Sequence, residues 1–206
     1  METTKPKDRQ WVIELFDKHI YSHIIGDLKL MDELQPHDNQ NTCAIPTAML
    51  ILSALDFIGF LLRKGGKKDE SEENIKTAFT YNGYFADSYS TEIVQDLIRI
   101  YRHGIMHNFY PIQKQGKIYG IHKSDKQSLF EMLFEDDQAI NSLNINVLSQ
   151  DFKSFIDSLY HHINTKKDSQ IIANIISKYS ERHISKESPT VTTQTTIPPG
   201  ILSSRL

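Results

Sequence analysis

The stretch Ala44–Leu62 constrains the fold more than any other part of the chain. It is the longest apolar run and comes close to the length of a bilayer span. Pro46, Thr47, Ser53, Asp56 and Gly59 interrupt it, and an aspartate near the centre of a lipid-embedded helix would be expensive. A helix that is apolar on nearly every side belongs in the middle of a protein core. The expected helix spans 45–64. Pro46 sits in its first turn, Asn41 or Thr42 helps to cap it, and Gly65-Gly66 stops it. No membrane partner is expected. A buried acid needs a partner of its own. Arg102 or a histidine would serve Asp56, and a plain structural ion pair explains it as well as a functional one.

Helical periodicity recurs on both sides of this run. Over 9–34, Trp11, Leu15, His19, Ser22 and Gly26 form one track, and Val12, Phe16, Ile20 and Ile24 a neighbouring one. Asp8 can cap that helix, and Gln35-Pro36 ends it. A short helix over 73–81 carries Ile75, Ala78 and Phe79. A fourth begins at a Ser90 or Thr91 cap and buries Ile93, Val94, Leu97, Ile98 and Tyr101. It runs through His107 and stops before Pro111. Beyond that proline, 117–122, 127–134 and 145–148 read as short strands, and helices over 149–164 and 168–183 follow. The expected architecture is mainly α: one domain over 1–185, a helical bundle with a small antiparallel β-sheet inserted at about 115–148 after the fourth helix, and two C-terminal helices. Residues 186–206, rich in Ser, Thr and Pro, are expected to form a flexible tail.

Composition narrows the chemistry. A net charge of -3 gives no general attraction to phosphate, so any nucleic-acid contact must come from a local patch. Arg63, Lys64, Lys67 and Lys68 are one such cluster, although a solvated helix end explains them equally well. Cys43 is the single cysteine, which excludes an intrachain disulfide and a paired-cysteine zinc site. It has no neighbouring histidine in sequence and reads as an inert thiol. The start, 1–10, is polar and lacks the apolar core of a signal peptide, so a cytoplasmic location is expected. No glycine-rich phosphate loop is present.

The segment best equipped for chemistry is Tyr101-Arg102-His103-Gly104-Ile105-Met106-His107-Asn108. It holds a fixed cation with a planar fork of donors, two imidazoles able to exchange protons near neutral pH, and a carboxamide. These suffice in principle to cut RNA without a metal. A histidine would move the proton, and the arginine would stabilise charge on the phosphorus oxygens. On a regular helix Arg102 and His107 lie about 140° apart, whereas His103 and His107 share a face. A helix loosened at Gly104, or a second copy of the chain, would be needed to unite them. Dipole-favoured histidines at a helix end and a capping arginine account for the same residues without chemistry. A metal held by His103 and His107 with His122 is a further alternative, but the segment lacks the glutamate of the zinc-protease helix motif. His161 and His162 point to different faces and read as surface residues.

Arg102, four intervening residues and His107, with polar His103 after the arginine, resemble the Arg-x4–6-His motif of the HEPN superfamily. The resemblance reaches over 9–108. It implies a helical bundle, a homodimer with facing motifs, and metal-independent endoribonuclease activity in a toxin or defence setting. Arg102 and His107 would then be catalytic, with His103, Asn108 and Asp56 in support. RNA and an antitoxin or other protein would be partners, and no cofactor or metal is implied. The alternative from the same family is a non-catalytic module that binds a nucleotide or protein and dimerises.

Overall fold

The computed structural model describes residues 8–34, 43–65, 70–85, 88–135, 137–165 and 168–184. The expected tail at 186–206, Lys67 and Lys68, and the cap candidates Asn41 and Thr42 lie outside these residues. Helix α2, Ala44–Leu62, is the centre of the molecule. Ala48, Ile51, Leu52, Leu55, Ile58, Phe60 and Leu61 on it are all buried, so apolar positions around its whole circumference meet other elements. Each large aliphatic or phenyl group so covered contributes about 1.5–3 kcal/mol. Among the described residues α2 alone is long and apolar enough to cross a membrane, and most of it is covered by the rest of the chain. Its first carbonyl comes from Cys43, a half-buried free thiol in left-handed backbone, which accepts from the Thr47 amide at 2.9 Å and the Thr47 hydroxyl at 2.6 Å.

The other helices surround this axis. Helix α1 is continuous through Arg9–Leu15, Phe16–Ile25 and Gly26–Glu33, and Asp8 caps it by accepting from the Trp11 amide at 3.1 Å. Its middle third is π-helical. The extra residue per turn shifts the buried track, so Ile25 is buried and Ile24 only half so, while His19 and Ser22 of the expected stripe are exposed. Helix α3 is Ser71–Thr80, followed by a single 3-10 turn, Tyr81–Gly83. Helix α4 is continuous through Thr91–Asp96, a π-helical Leu97–Arg102 and His103–Asn108, capped by Ser90. Helices α5, Ile145–Thr165, and α6, Ser169–Ile184, close the core. The Asn174 carboxamide of α6 donates to the Leu61 carbonyl at 2.7 Å, satisfying the end of α2.

The sheet corrects the antiparallel expectation. Strands β1, Ile118–His122, β2, Phe130–Glu135, and β3, Gln138–Asn144, lie in the order β1-β3-β2. β3 pairs antiparallel with β2 but parallel with β1, so the sheet is mixed. The central strand was missed because its Gln, Asn and Ser residues do not alternate with apolar ones. Residues 145–148, expected as a strand, are instead the first turn of α5. Ile145, Leu148 and Phe152 fall on one helical face, and the Asn144 carboxamide oxygen accepts from the Asn146 amide at 3.1 Å.

One face of the sheet buries a polar cluster. His122 meets the Ser142 hydroxyl through Nδ1 at 2.8 Å and the Glu131 carboxylate through Nε2 at 3.0 Å, and the Lys126 ammonium lies 2.8 Å from the same acid. The hydrogen bonds from Lys126 first, and His122 second, lower Glu131 from 4.5 to about 2 against the opposing effect of burial. The folded carboxyl therefore titrates below the unfolded one. The stabilisation is full above about pH 4.5 and is lost as pH falls towards 2, a difference of roughly 3 kcal/mol. Glu131→Gln is expected to lower stability at pH 7 and to flatten the acid limb of a urea-denaturation series. An acid limb as steep as that of the native chain would contradict this assignment.

Candidate functional site

Arg102 closes the π-helical segment of α4, and its guanidinium turns inward. One terminal nitrogen lies 3.0 Å from Asp56 Oδ2 on α2. The two side chains are 19% and 23% exposed, so the pair is mostly shielded from water. Asp56 is shared with α3: Oδ2 also accepts from the Ser71 hydroxyl, and Oδ1 accepts from the Asn74 carboxamide at 2.9 Å. Three donors on one carboxylate make this a junction of three helices.

The junction requires the close approach of α2 and α3. A Cβ on Gly59 would stand 1.8 Å from the Asn74 carbonyl oxygen, so only glycine permits the crossing. Ser71 and Asn74 were not legible as partners of Asp56, because nothing in linear spacing shows that α3 crosses α2 at this point. The polar, fully buried Asn74 beside Ile75 was the available signal.

The rest of the segment faces outward. His103 is half-buried, His107 and Asn108 are exposed, and the two imidazole rings lie 6.2 Å apart and tilted by 11°. Residues 103–108 are regular α-helix, so Gly104 does not supply the loosening that would unite Arg102 and His107 in one chain; the irregularity lies one turn earlier, at Leu97–Arg102. There the Ile100 carbonyl accepts from the Ile112 amide of the returning chain at 3.1 Å. Gly104 has a different purpose. A Cβ there would meet the Tyr110 carbonyl oxygen at 2.5 Å and the Ile112 nitrogen at 2.7 Å, because the chain folds back across it.

Arg102 and His107 are therefore not brought together within one chain. Arg102 is committed to Asp56, while His107 is in solvent. The cation on the histidine side is Arg99, 58% exposed and 3.6 Å from Glu72. Glu72 is held below the usual carboxylate range, first by its hydrogen bond from Lys76 and further by the positive charges of Arg99 and His103.

His122, the third ligand of the metal alternative, is instead engaged with Ser142 and Glu131 in the sheet. Among the described residues no three His, Cys, Asp or Glu side chains are grouped to hold a metal ion. Arg63 of the basic cluster is paired with Glu70, and Lys64 is exposed. His161 is on the surface as expected, but His162 is buried.

No family model, curated protein or solved structure matches the chain. Asp56→Ala would leave the Arg102 guanidinium, Ser71 and Asn74 without their common acceptor. We expect it to cost about 3–5 kcal/mol in chemical denaturation, the usual penalty for stranding one half of a buried pair. Asp56→Asn, which keeps an acceptor oxygen, should cost less. Equal and small losses in both would show that the junction is not needed for the fold.

Proposed function

We propose that this chain is a helical interaction module that pairs with a second copy through the end of α4 and the turn that follows. The observation that carries this reading is a cluster of exposed apolar side chains: Met106, Phe109, Tyr110 and Ile112 are 42%, 67%, 60% and 40% exposed. Phe109 is the sharpest case. It occupies left-handed backbone at φ 57, with its amide bonded to the Ile105 carbonyl at 3.0 Å. That conformation costs a bulky residue about 1–2 kcal/mol, and glycine or asparagine is usual there. A phenyl group held outward at such a position gains nothing within one molecule, whereas burial against a second molecule would offset the strain. The resemblance of Arg102 and His107 to the HEPN motif supports the same geometry, since such helices face one another across a dimer. The inward pairing of Arg102 favours an end of α4 that binds rather than catalyses.

Sedimentation velocity on the whole chain tests the reading. Phe109→Asn suits the left-handed turn, so the folded monomer should be at least as stable. Self-association is expected to weaken by about tenfold or more, equivalent to roughly 1.4 kcal/mol. A native chain that stays monomeric at high micromolar concentration would refute self-pairing.

A second reading, metal-independent RNA cleavage of HEPN type, is favoured by the accessibility of His107 and its parallel stacking on His103. The exposed cation one helical turn before His103 is Arg99, whereas Arg102 is paired with Asp56. Cleavage in the presence of a chelator would then fall by about a hundredfold or more in His107→Ala, the usual contribution of a general acid or base. Arg99→Ala would weaken it as well. No cleavage by the native chain, or equal cleavage by His107→Ala, would remove this reading.

A further inference from the structure

A second cluster of titratable groups lies away from the end of α4, where Tyr84, just beyond the 3-10 turn, meets α5. The Tyr84 hydroxyl is 2.6 Å from His162 Nδ1. The imidazole is 9% exposed, and its other nitrogen, Nε2, lies 3.6 Å from Asp168 Oδ2. That distance allows an ion pair but is too long for a hydrogen bond, and Nε2 has no hydrogen-bond partner among the described residues. A cleft of about 430 Å³ opens over the same place, lined by Tyr84, Asp157, Ser158, His161 and His162. It is a shallow depression, broadly open to solvent.

The order of contacts sets the proton positions. If Nε2 carries the hydrogen and points it at Asp168, Nδ1 is left to accept from the tyrosine. Asp168 is suited to hold a positive imidazolium. The backbone amide of Ile171 first, and that of Gln170 after it, keep its carboxyl below the usual range, and both bond it from the first turn of α6. A simple latch between the turn and α5 would need only the tyrosine–histidine bond. It would leave unexplained why the buried Nε2 is kept without a full partner beside a carboxylate and next to an open cleft.

We propose that Tyr84, His162 and Asp168 form a proton relay that makes Tyr84 Oη a general base toward a small uncharged molecule bearing a hydroxyl group. In this relay the ligand proton passes to Tyr84 Oη as the tyrosine proton passes to His162 Nδ1. The electron pair of the broken bond stays on the ligand, and Asp168 balances the imidazolium. The Asp157 carboxylate in the lining, with Asp168 behind His162, makes the cleft a poor host for anions. Tyr84 would be the catalytic residue, with His162 acting on it directly and Asp168 positioning the imidazole.

The relay makes Tyr84 reactive toward an electrophile, and benzenesulfonyl fluoride is a suitable probe. The phenol oxygen forms a bond to sulfur, the sulfur–fluorine bond breaks, fluoride leaves, and the phenol proton goes to His162. Modification of Tyr84 is followed by peptide mass spectrometry, with N-acetyltyrosinamide in the same solution as the standard. Tyr84 is expected to react about tenfold faster than the free tyrosine derivative, and about tenfold more slowly in His162→Gln than in the native chain. Asp168→Asn still caps α6, so it removes the charge without the cap, and a several-fold loss is expected there. It also decides the matter if His162→Gln does not fold by circular dichroism. A Tyr84 that reacts no faster than the free tyrosine derivative, or a rate unchanged by Asp168→Asn, would overturn the proposal.

Discussion

One carboxylate inside an apolar helix organises the upper half of this molecule. A partly buried carboxylate on α2 needs donors from other elements, and α3 and α4 both supply them to Asp56. Ser71 and Asn74 fix where α3 crosses, Gly59 lets that crossing close, and Arg102 fixes the rotation of α4. Once Arg102 is turned inward, the helical period turns His103 and His107 away from that face. The arrangement of the motif residues is therefore a consequence of core electrostatics before it is a matter of function.

The lower half is joined differently. The Tyr21 hydroxyl donates to Asp157, and the Tyr160 hydroxyl donates to Asp17, both at 2.8 Å, so α1 and α5 exchange a tyrosine and an aspartate in each direction. Trp11 and Tyr179 pack edge to face between α1 and α6, with centroids 5.0 Å apart. These contacts hold α5 firmly where it forms one wall of the cleft beside Tyr84.

What was legible in the sequence follows from which signals are local. The helices were, because Leu, Ile and Phe recur at helical spacing and because Asp8 and Ser90 are caps that act on their own neighbours. The pairing of Asp56 with Arg102 was legible as a need, since a buried acid must find a cation. The π-helical turns were not legible: an inserted residue changes a track by one position, as at Ile24 and Ile25, without any distinctive residue type. β3 escaped notice because its polar residues are satisfied by long-range bonds, such as Ser142 to His122. The link between Tyr84 and His162 spans 78 positions and leaves no trace in either neighbourhood.

The parallel pairing of β1 with β3 has a consequence for the order of assembly. β2 and β3 adjoin in sequence and can zip together locally, but β1 finds its neighbour only after that hairpin exists, with the 123–129 connection spanning the place that β3 fills. Such non-local closure is the slow part of folding. β1 also carries Tyr119, against which Tyr101 of α4 packs with centroids 6.2 Å apart. The final seating of the edge strand thus coincides with the final seating of the motif helix, and conditions that release the one loosen the other.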